Sequence, residues 1–408
     1  MHIDGLPENA SVIASPEVWM EGDALVQLAR VAAHEHCVCA VGMPDLHPGP
    51  GLPIGAAMAF ERRVVPTLVG GDAGCGALLL GLSRVKLSPS ALERRLRAAF
   101  AERGGPPELA EVTGLAQAVW QRGPGALAEL TAVADVAPLL AHLATLVADD
   151  HGPRSGELPA GFAAALGTIG GGNHFLELGR VATVHDPAAT RLGLRRGELV
   201  VLAHSGSRGL GRQLAEKWAG RELTTSEAEP YLADLAGAVR FARANRLILA
   251  WRMLRALGVS RPAKVSGMLD VVHNTVTLEE VADRSLWVHR KGCAPAHADR
   301  LAVVLGSRGT PSYVVLGTGR SEALSSVAHG AGRKMKRSEA RAKMKARYRR
   351  AQLGTARSGA RVICDDPRLL REEHPDAYKD IEPVIASLEA ADAARRVAAI
   401  QPILTVKK

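Results

Sequence analysis

The sequence has few aromatic residues: Phe, Trp and Tyr together make up 3% of its 408 residues. Apolar residues still account for 47% of the chain, so we expect a sizeable core filled mainly by Leu, Val, Ile and Ala. No uncharged apolar stretch reaches the roughly 18 residues that a membrane-spanning helix requires. The first ten residues lack the basic region and apolar run of a signal peptide. We therefore expect a soluble, cytoplasmic protein with no membrane contact.

Two other absences restrict the chemistry. The odd number of cysteines, without regular spacing, excludes a disulfide framework and favours a reduced intracellular chain. The sequence has no GxxxxGK[ST] motif, which argues against an ordinary P-loop NTPase. The run HEHCVC (34–39) could suggest a zinc site, but its alternating residues favour a strand. The five cysteines are Cys37, Cys39, Cys75, Cys293 and Cys364.

The chain is basic, with 51 Lys and Arg against 42 Asp and Glu, for a net charge of +9. This balance fits a polyanionic partner such as RNA or DNA, although many mildly basic proteins bind no nucleic acid. The charge is concentrated in residues 333–350, which contain ten basic residues and one acidic residue. This segment fits either a solvated helix or an RNA contact, and its role is open at this point.

Short apolar runs border turns rich in Gly, Pro, Asp or His along much of the chain. Runs of this length with such flanks are typical of buried strands. They predict strands at 37–41, 54–60, 77–81, 198–203, 285–289, 301–305 and 313–317.

Other stretches carry apolar residues at every third or fourth position, which predicts helices. Residues 88–149 form the first such stretch, with breaks expected at Gly104–Pro107 and Gly123–Pro124. Residues 211–258 form the second. Residues 380–395 predict a last helix, followed by an extended piece at the end of the sequence.

Strands and helices are mixed without a steady β-α-β alternation, so an α+β fold is favoured over a doubly wound sheet. The sequence has no long linker, internal repeat or low-complexity block. We predict a single domain over residues 1–408 with a mixed β-sheet core. A helical insertion is expected at about 85–160.

Polar, glycine-rich turns follow several of the apolar runs and carry possible metal ligands. In GGDAGCG (70–76) the glycines can let the loop curl so that Asp72 and Cys75 converge. His174, His204 and His273 also stand at such turns. Each residue alone is more typical of a hydrogen-bonded structural position. Together they form a mixed N/S/O set suited to Mn²⁺, Zn²⁺, Co²⁺ or Fe²⁺.

Four of the motifs, in this order, resemble the RtcB family of GTP-dependent RNA-splicing ligases. They are GGGNHFLE (170–177), HSGSRGLG (204–211), HRKG (289–292) and HGAGR (329–333). The likeness runs from about residue 43 to 407. It implies a mixed α/β fold with two Mn²⁺ ions in a central pocket. It also implies that the chain uses GTP to join 2′,3′-cyclic phosphate or 3′-phosphate RNA ends to 5′-hydroxyl ends.

The resemblance assigns roles to the possible ligands and to a nucleophile. Cys75, His174 and one more group would hold one metal ion, His204 and His273 would complete the second, and Asp72 would serve both. His329 in HGAGR would attack the α-phosphorus of GTP and form a histidine–GMP intermediate. Asp45 in MPDLH matches a carboxylate that supports the active-site loop, and the alternative is a turn-capping Asp after Pro44.

The resemblance also implies two binding sets. Arg208, Arg290 and Lys291 would hold the RNA phosphate ends, with surface salt bridges as the alternative. Glu177 would accept hydrogen bonds from guanine, and Tyr378 would offer a stacking face. The full guanylate set is Asn173, Phe175, Glu177, Asn274, Ser307, Ser312, Gly330, Ala331, Gly332, Tyr378 and Lys407.

Some positions depart from the family pattern and suggest a divergent branch. The turn after MPDLH reads PGPG, and Arg308 would add a positive charge beside the guanylate phosphates. Two alternatives therefore stay open. One is a guanylyltransferase that caps DNA 3′-phosphate ends or repairs one damaged RNA, and the other is a metal- and RNA-binding homologue that does not ligate. An activating protein partner and the oligomeric state are also open.

Overall fold

Strands from all parts of the chain build the core. A computed structural model describes residues 5–86, 88–101, 104–130, 137–147 and 152–408. The strands are β1 (Ala10–Val12), β2 (Cys37–Pro48), β3 (Pro53–Phe60), β4 (Arg63–Val64), β5 (Gly76–Leu82), β6 (Phe175–Val184), β7 (Leu199–Ser205), β8 (Leu223–Thr224), β9 (Val265–Val272), β10 (Asn274–Val281), β11 (Arg284–Lys291), β12 (Cys293–Pro295), β13 (Leu301–Val304), β14 (Ser312–Gly317), β15 (Ser326–Ala328), β16 (Arg361–Ile363) and β17 (Ala394–Val406).

Helices fall mainly between β5 and β6, between β7 and β9, and in the last quarter of the chain. Short 3-10 turns occur as well, among them Gly123–Glu129 and Arg350–Gly354. The helices are α1 (Gly22–Ala32), α2 (Pro89–Ala99), α3 (Pro107–Ala110), α4 (Leu115–Arg122), α5 (Ala137–Thr145), α6 (Leu210–Lys217), α7 (Glu229–Leu257), α8 (Arg337–Arg347), α9 (Pro367–Glu372) and α10 (Ile381–Ala390). This mixture confirms the predicted α+β class.

The strands form two larger sheets, and the chain passes directly from one sheet to the other between β9 and β10. The larger sheet has the order β13-β14-β17-β6-β7-β5-β9, with β16 also paired to β17. The smaller sheet has the order β1-β2-β3-β11-β10, and the pairs β12–β15 and β4–β8 stand apart. Strand β9 lies in the larger sheet and β10 in the smaller one, and only His273 separates them. The chain therefore passes from one sheet to the other at a predicted metal ligand.

Most predicted elements are confirmed, with shifted ends. Each predicted strand has a counterpart, and the predicted terminal helix is α10, followed by the long strand β17. The helical stretch predicted over 211–258 consists of two helices, α6 and α7, separated by a turn with the short strand β8. Parts of the predicted helical stretch, at 102–103, 131–136 and 148–149, lie outside the described residues.

Helix α7 is the central helix of the fold. Its 29 residues are buried on nearly every face, as expected of a helix enclosed by other elements. Trp251 and Phe241 are among its fully buried side chains. At Gly237 an added Cβ would lie 2.5 Å from the Trp120 ring, so glycine permits the close approach of α4. The assignment of 1–408 to one domain with a helical insertion stays a prediction.

Among the described residues, no helix combines the length and apolar character that crossing a membrane would require.

Trp251 and Trp19 give a matched pair for testing this core. Trp251 is 1% exposed and Trp19 is 52% exposed. Trp251→Ala should lower the free energy of unfolding by about 3–5 kcal/mol, because it leaves a large cavity. Trp19→Ala should change it by less than about 0.5 kcal/mol. Urea denaturation of both variants measures the difference, and equal effects would contradict the described packing of α7.

Candidate active site

The possible ligands gather at one edge of the larger sheet because of the strand register. Strand β7 lies between β6 and β5 and is antiparallel to both, so that His204 pairs with Phe175 on one side and with Ala77 on the other. Strand β9 pairs antiparallel with β5 and places Val272 beside Gly76. The starts of β5 and β6 and the ends of β7 and β9 therefore meet.

Three of the predicted ligands form a compact buried group. The Sγ atom of Cys75 lies 3.4 Å from Nε2 of His174 and 3.3 Å from Nε2 of His204. These ligand atoms all lie within 4.8 Å of one another, as binding to one metal ion requires. Asp72 lies beside the group, with Oδ2 3.1 Å from Nε2 of His174. A Cys, two His and a carboxylate are a donor set for divalent transition metals.

His273 adds two ring nitrogens that have no hydrogen-bond partner among the described residues. Its ring is 5.8 Å from the ring of His204, and both of its ring nitrogens are buried without a hydrogen bond. Because buried polar atoms are almost always paired, two unpaired ring nitrogens fit a residue that binds a ligand. Among the described residues, the structure therefore brings Asp72 and all four other predicted ligands together.

Burial shifts the pKa values of His204, His273 and Cys75 and so determines their protonation states. It lowers the pKa of His204 and of His273 well below the usual histidine range, and neighbouring rings lower both further. Both imidazoles are therefore neutral and offer nitrogen lone pairs. Burial also raises the pKa of the Cys75 thiol, and the charge of Asp72 raises it further. A bound cation would have to displace this thiol proton.

Arg246 in α7 connects three ligand-bearing segments through one buried guanidinium. Nη1 donates to the carbonyl oxygens of the residue before Cys75 and the residue after His204, both at 2.9 Å. Nε and Nη2 donate to the Asp270 carboxylate at 2.6 and 2.8 Å. Asp270 lies in β9, three residues before His273. One side chain thus fixes the relative positions of these segments.

Asn245, next to Arg246, holds the segment that leads to His174. Its Oδ1 accepts hydrogen bonds from the amides of Gly167 and Thr168 at 2.7 and 3.0 Å. Its Nδ2 donates to Ser205 Oγ at 3.0 Å. Sequence analysis missed both residues. The sequence pattern that could have indicated them is an adjacent Asn–Arg pair inside an apolar helical stretch. Polar side chains buried in such a helix need hydrogen-bond partners elsewhere in the fold.

The predicted nucleophile pairs with a buried carboxylate. Nδ1 of His329 lies 2.6 Å from Oδ2 of Asp45, which is fully buried in β2. Because a carboxylate accepts hydrogen bonds, the proton of the neutral ring is held on Nδ1 and the lone pair is left on Nε2. The His329 ring lies 5.5 Å from the His273 ring and 6.5 Å from the His204 ring. Asp45 thus contacts the predicted nucleophile and is more than a turn cap.

Lys379 fixes the chain around Asp45. Its Nζ donates to the carbonyl oxygens of Pro44 and Leu46, at 3.0 and 2.8 Å, on either side of Asp45. Its backbone amide donates to the carbonyl oxygen of Gly332 at 2.9 Å. Gly332 has a φ of +73°, and an added Cβ would lie 2.3 Å from the carbonyl oxygen of Asp45. Lys379 therefore ties the Asp45 strand to the turn that follows His329.

Four residues of the predicted guanylate set surround the start of β6. Nζ of Lys407 donates to the carbonyl oxygen of His174 at 2.9 Å and lies 5.8 Å from the Phe175 ring centre. Oε2 of Glu177 accepts from Thr405 at 2.6 Å. Burial raises the pKa of Glu177 to about 8 and lowers that of Lys407 to about 8. Asn173 directly precedes His174. Lys407 therefore contacts the segment that carries His174.

Asn274 and the serines of the predicted set already have partners within the protein. Nδ2 of Asn274 donates to the carbonyl oxygen of Asp72 at 2.9 Å, and Oδ1 accepts from the Gly292 amide at 2.6 Å. Oγ of Ser312 accepts from the Gly306 amide at 3.0 Å, and Ser307 contacts Thr310 at 3.1 Å. These contacts fix the shape of the surrounding loops.

The turn after His329 and Tyr378 belong to the predicted guanylate set and contact other parts of the protein. The 330–332 turn lies against Leu305, whose carbonyl oxygen accepts from the Ala331 amide at 2.9 Å. Tyr378 contacts Glu373, and the Arg333 guanidinium lies 5.0 Å from its ring centre. One face of the Tyr378 ring is therefore covered by Arg333, which limits the predicted stacking to the other face.

Arg208 lies beside the metal-ligand group. Nη1 is 3.3 Å from Nδ1 of His174, and Nε donates to Oγ1 of Thr168 at 3.1 Å. Its guanidinium occupies the space where a Cβ on Gly170 would stand. Glycine at 170 thus admits a cation into the site.

Lys291 and Arg290 are adjacent in sequence, but their side chains lie in different surroundings. Lys291 packs on Gly70 in the loop that carries Asp72 and Cys75, and burial lowers its pKa to about 8. Arg290 is 1% exposed; Nη2 donates to Glu279 at 2.9 Å, and Nε donates to Ser326 at 2.8 Å. This buried ion pair corrects the expected role of Arg290, because its guanidinium has no free face for RNA.

Arg308 also lies elsewhere than expected. Its guanidinium donates to the carbonyl oxygens of Leu353 and Leu370, at 3.3 and 2.8 Å, and it is 7% exposed. It therefore joins the 3-10 turn Arg350–Gly354 to helix α9, and its donors are directed at these carbonyl groups.

Arg246→Met tests the positioning of the ligand segments, with Arg243→Met as the matched control. Arg243 pairs with the same Asp270, at 3.3 Å, but has no hydrogen bond to the ligand loops among the described residues. Arg246→Met should weaken Mn²⁺ binding by about 10- to 100-fold. Losses of this size follow when a residue that positions the ligands, without binding the metal itself, is removed. Calorimetric titration with Mn²⁺ measures this, and the assignment fails if both variants bind Mn²⁺ equally well.

Known proteins resemble this sequence over 90% or more of its length. It matches the family described as tRNA-splicing ligase RtcB over residues 27–225 and 219–408. It is 35% identical to RNA-splicing ligase RtcB2 of Escherichia coli over 100% of this chain and 97% of that protein. It is 33% identical to RNA-splicing ligase RtcB of Mycobacterium tuberculosis (90% and 96% covered) and 30% identical to tRNA-splicing ligase RtcB of Archaeoglobus fulgidus (95% and 92%). The chain belongs to the RtcB family.

Proposed function

We propose that this chain is a GTP- and Mn²⁺-dependent RNA ligase that joins 2′,3′-cyclic phosphate or 3′-phosphate ends to 5′-hydroxyl ends. The observation that carries the proposal is the pair formed by His329 and buried Asp45, 2.6 Å apart, beside the His and Cys group. In the neutral form of the ring this pairing holds the proton on Nδ1, so that the Nε2 lone pair can act as a nucleophile. Family membership supports the same activity.

The residues present fit a metal centre. Cys75, His174 and His204 converge, and both ring nitrogens of His273 lack a protein partner. We propose that two Mn²⁺ ions are held by these four residues, with Asp72 serving both. Bound there, the ions would offset phosphate charge and stabilise the departing pyrophosphate.

In the first step Nε2 of His329 attacks the α-phosphorus of GTP. An N–P bond forms, the bond to the bridging oxygen breaks, and pyrophosphate leaves with that electron pair. Asp45 stabilises the positive charge that develops on the ring, because its carboxylate stays hydrogen-bonded to Nδ1. Lys379 holds Asp45 in place through the two flanking carbonyl groups.

In the later steps GMP passes to RNA. A 3′-phosphate oxygen, after hydrolysis of any cyclic phosphate, attacks the phosphorus on His329 and takes the GMP. The 5′-hydroxyl then attacks the activated 3′-phosphate, forms the new phosphodiester and releases GMP. Arg208 contacts His174, and Lys291 packs on Gly70, two residues before Asp72, so both cations are candidates to hold the phosphate.

Self-labelling with GTP tests the proposal. Incubation with Mn²⁺ and α-labelled GTP should attach acid-labile label to the protein, because a P–N bond hydrolyses in acid. His329→Ala should abolish labelling. His185→Ala is the matched control, since this exposed histidine lies in the turn after β6, away from the proposed site, and should label normally.

Lack of label in the unaltered protein would contradict the proposal and favour a homologue that binds metal and RNA without ligating. When labelling succeeds, transfer to RNA and DNA 3′-phosphate ends is compared. Joined RNA is the expected product, and capped DNA without RNA joining would contradict the ligase assignment.

A further inference from the structure

Glu373 is a buried carboxylate outside the set of predicted site residues. It is 2% exposed and follows directly after helix α9. One oxygen, Oε2, accepts a hydrogen bond from the hydroxyl of Tyr378. The other, Oε1, accepts from Nη1 of Arg333 at 3.1 Å and lies 3.5 Å from Nε of Arg337. Both oxygens are therefore paired, as a buried charge requires, although the reaction steps proposed above do not involve this residue.

The cations around Glu373 keep it ionised. Burial opposes ionisation, but the charges of Lys407 and Arg333 outweigh this effect and lower the pKa of Glu373. Burial and the neighbouring carboxylate both raise the pKa of the Tyr378 hydroxyl. The hydroxyl therefore keeps its proton and donates to an ionised acceptor, which makes one of the stronger kinds of hydrogen bond in proteins.

The backbone fixes where Tyr378 lies but not how its ring is turned. Tyr378 forms an isolated antiparallel bridge with Arg333, and two backbone hydrogen bonds of 2.9 Å flank this bridge. These bonds do not restrict rotation about the bond from Cα to Cβ of Tyr378. The ring is held instead at its hydroxyl, which donates to Glu373 and accepts from Nη1 of Arg333 at 3.1 Å.

We propose that Glu373 is a positioning residue for the guanine nucleotide, because it holds the Tyr378 ring in the orientation that stacks on the base. The inference rests on the proposed function and on the stacking role that the family resemblance gives to Tyr378. Arg333 covers one face of the ring, so the hydroxyl contact determines which way the other face points. A ring that is already held in its binding orientation loses less conformational entropy when a base stacks on it.

The surroundings of Glu373 favour a role in nucleotide binding over one in stability alone. Of the cations that stabilise its charge, Lys407 has the largest effect. Lys407 and Tyr378 both belong to the predicted guanylate set, and they come from separate segments of the chain. The side chain of the adjacent Glu372 pairs instead with Arg341 at 3.7 Å, and among the described residues it has no hydrogen bond or ion pair with a member of that set.

Self-labelling of Glu373→Gln at a series of GTP concentrations tests the inference. The half-saturating GTP concentration should rise about 10-fold, as expected when one hydrogen bond to a charged group is lost. The maximal labelling rate should stay within about twofold, because losing a contact that only improves binding leaves the rate at saturation unchanged. Glu372→Gln is the matched control and should leave both quantities unchanged.

Tyr378→Phe is the second variant, and it decides the question when Glu373→Gln does not fold. It keeps the ring, removes the hydroxyl and should raise the half-saturating GTP concentration by a similar factor. The double variant of Glu373→Gln with Tyr378→Phe should bind GTP no more weakly than either single variant, because both changes remove the same contact.

An unchanged half-saturating GTP concentration in Tyr378→Phe, or additive effects in the double variant, would overturn the inference. A lower maximal rate in Glu373→Gln with an unchanged half-saturating concentration would do so as well. Failure of the ligase function itself is distinguishable, because the unaltered protein would then take up no label.

Discussion

A single buried guanidinium, that of Arg246, sets the spacing on which the site depends. The ligands come from loops and strand ends that are far apart in sequence, and each could shift on its own. Arg246 and its neighbour Asn245 bind the backbone or adjoining side chains of these segments from one helix. A charge buried in this way must be fully paired, and Asp270 provides the counter-charge. The central helix α7 thus serves as both core and scaffold.

The site lies where the two larger sheets meet. The larger sheet contributes the Cys and His group, the smaller sheet contributes Asp45, and His273 stands between β9 and β10 at the crossing. Lys379 joins the Asp45 strand to the turn after His329. His329, the proposed nucleophile, and the possible metal ligands are therefore positioned by separate supports that converge on one small space. This separation lets the protein orient His329 independently of the possible metal ligands.

The sequence was sufficient for features that depend on local pattern. Short apolar runs with glycine turns predicted the strands, and the ligands stood at their ends. Arg290 and Lys291 could not be told apart locally, because successive strand residues point to opposite faces and one face is buried against Glu279. Lys379 and Arg246 were missed since their partners lie far away in sequence. Such roles depend on burial and on contacts between residues that are far apart in sequence. A short sequence motif indicates neither.

The central claim is that Cys75, His174, His204, His273 and Asp72 form one metal centre beside His329. Anomalous diffraction at the manganese absorption edge, from crystals grown with Mn²⁺ and GTP, tests it most directly. The account predicts anomalous peaks between the Cys75 sulfur and the ring nitrogens of the three histidines, next to density joined to His329. Manganese peaks only elsewhere on the chain, or none at full Mn²⁺ loading, would contradict it.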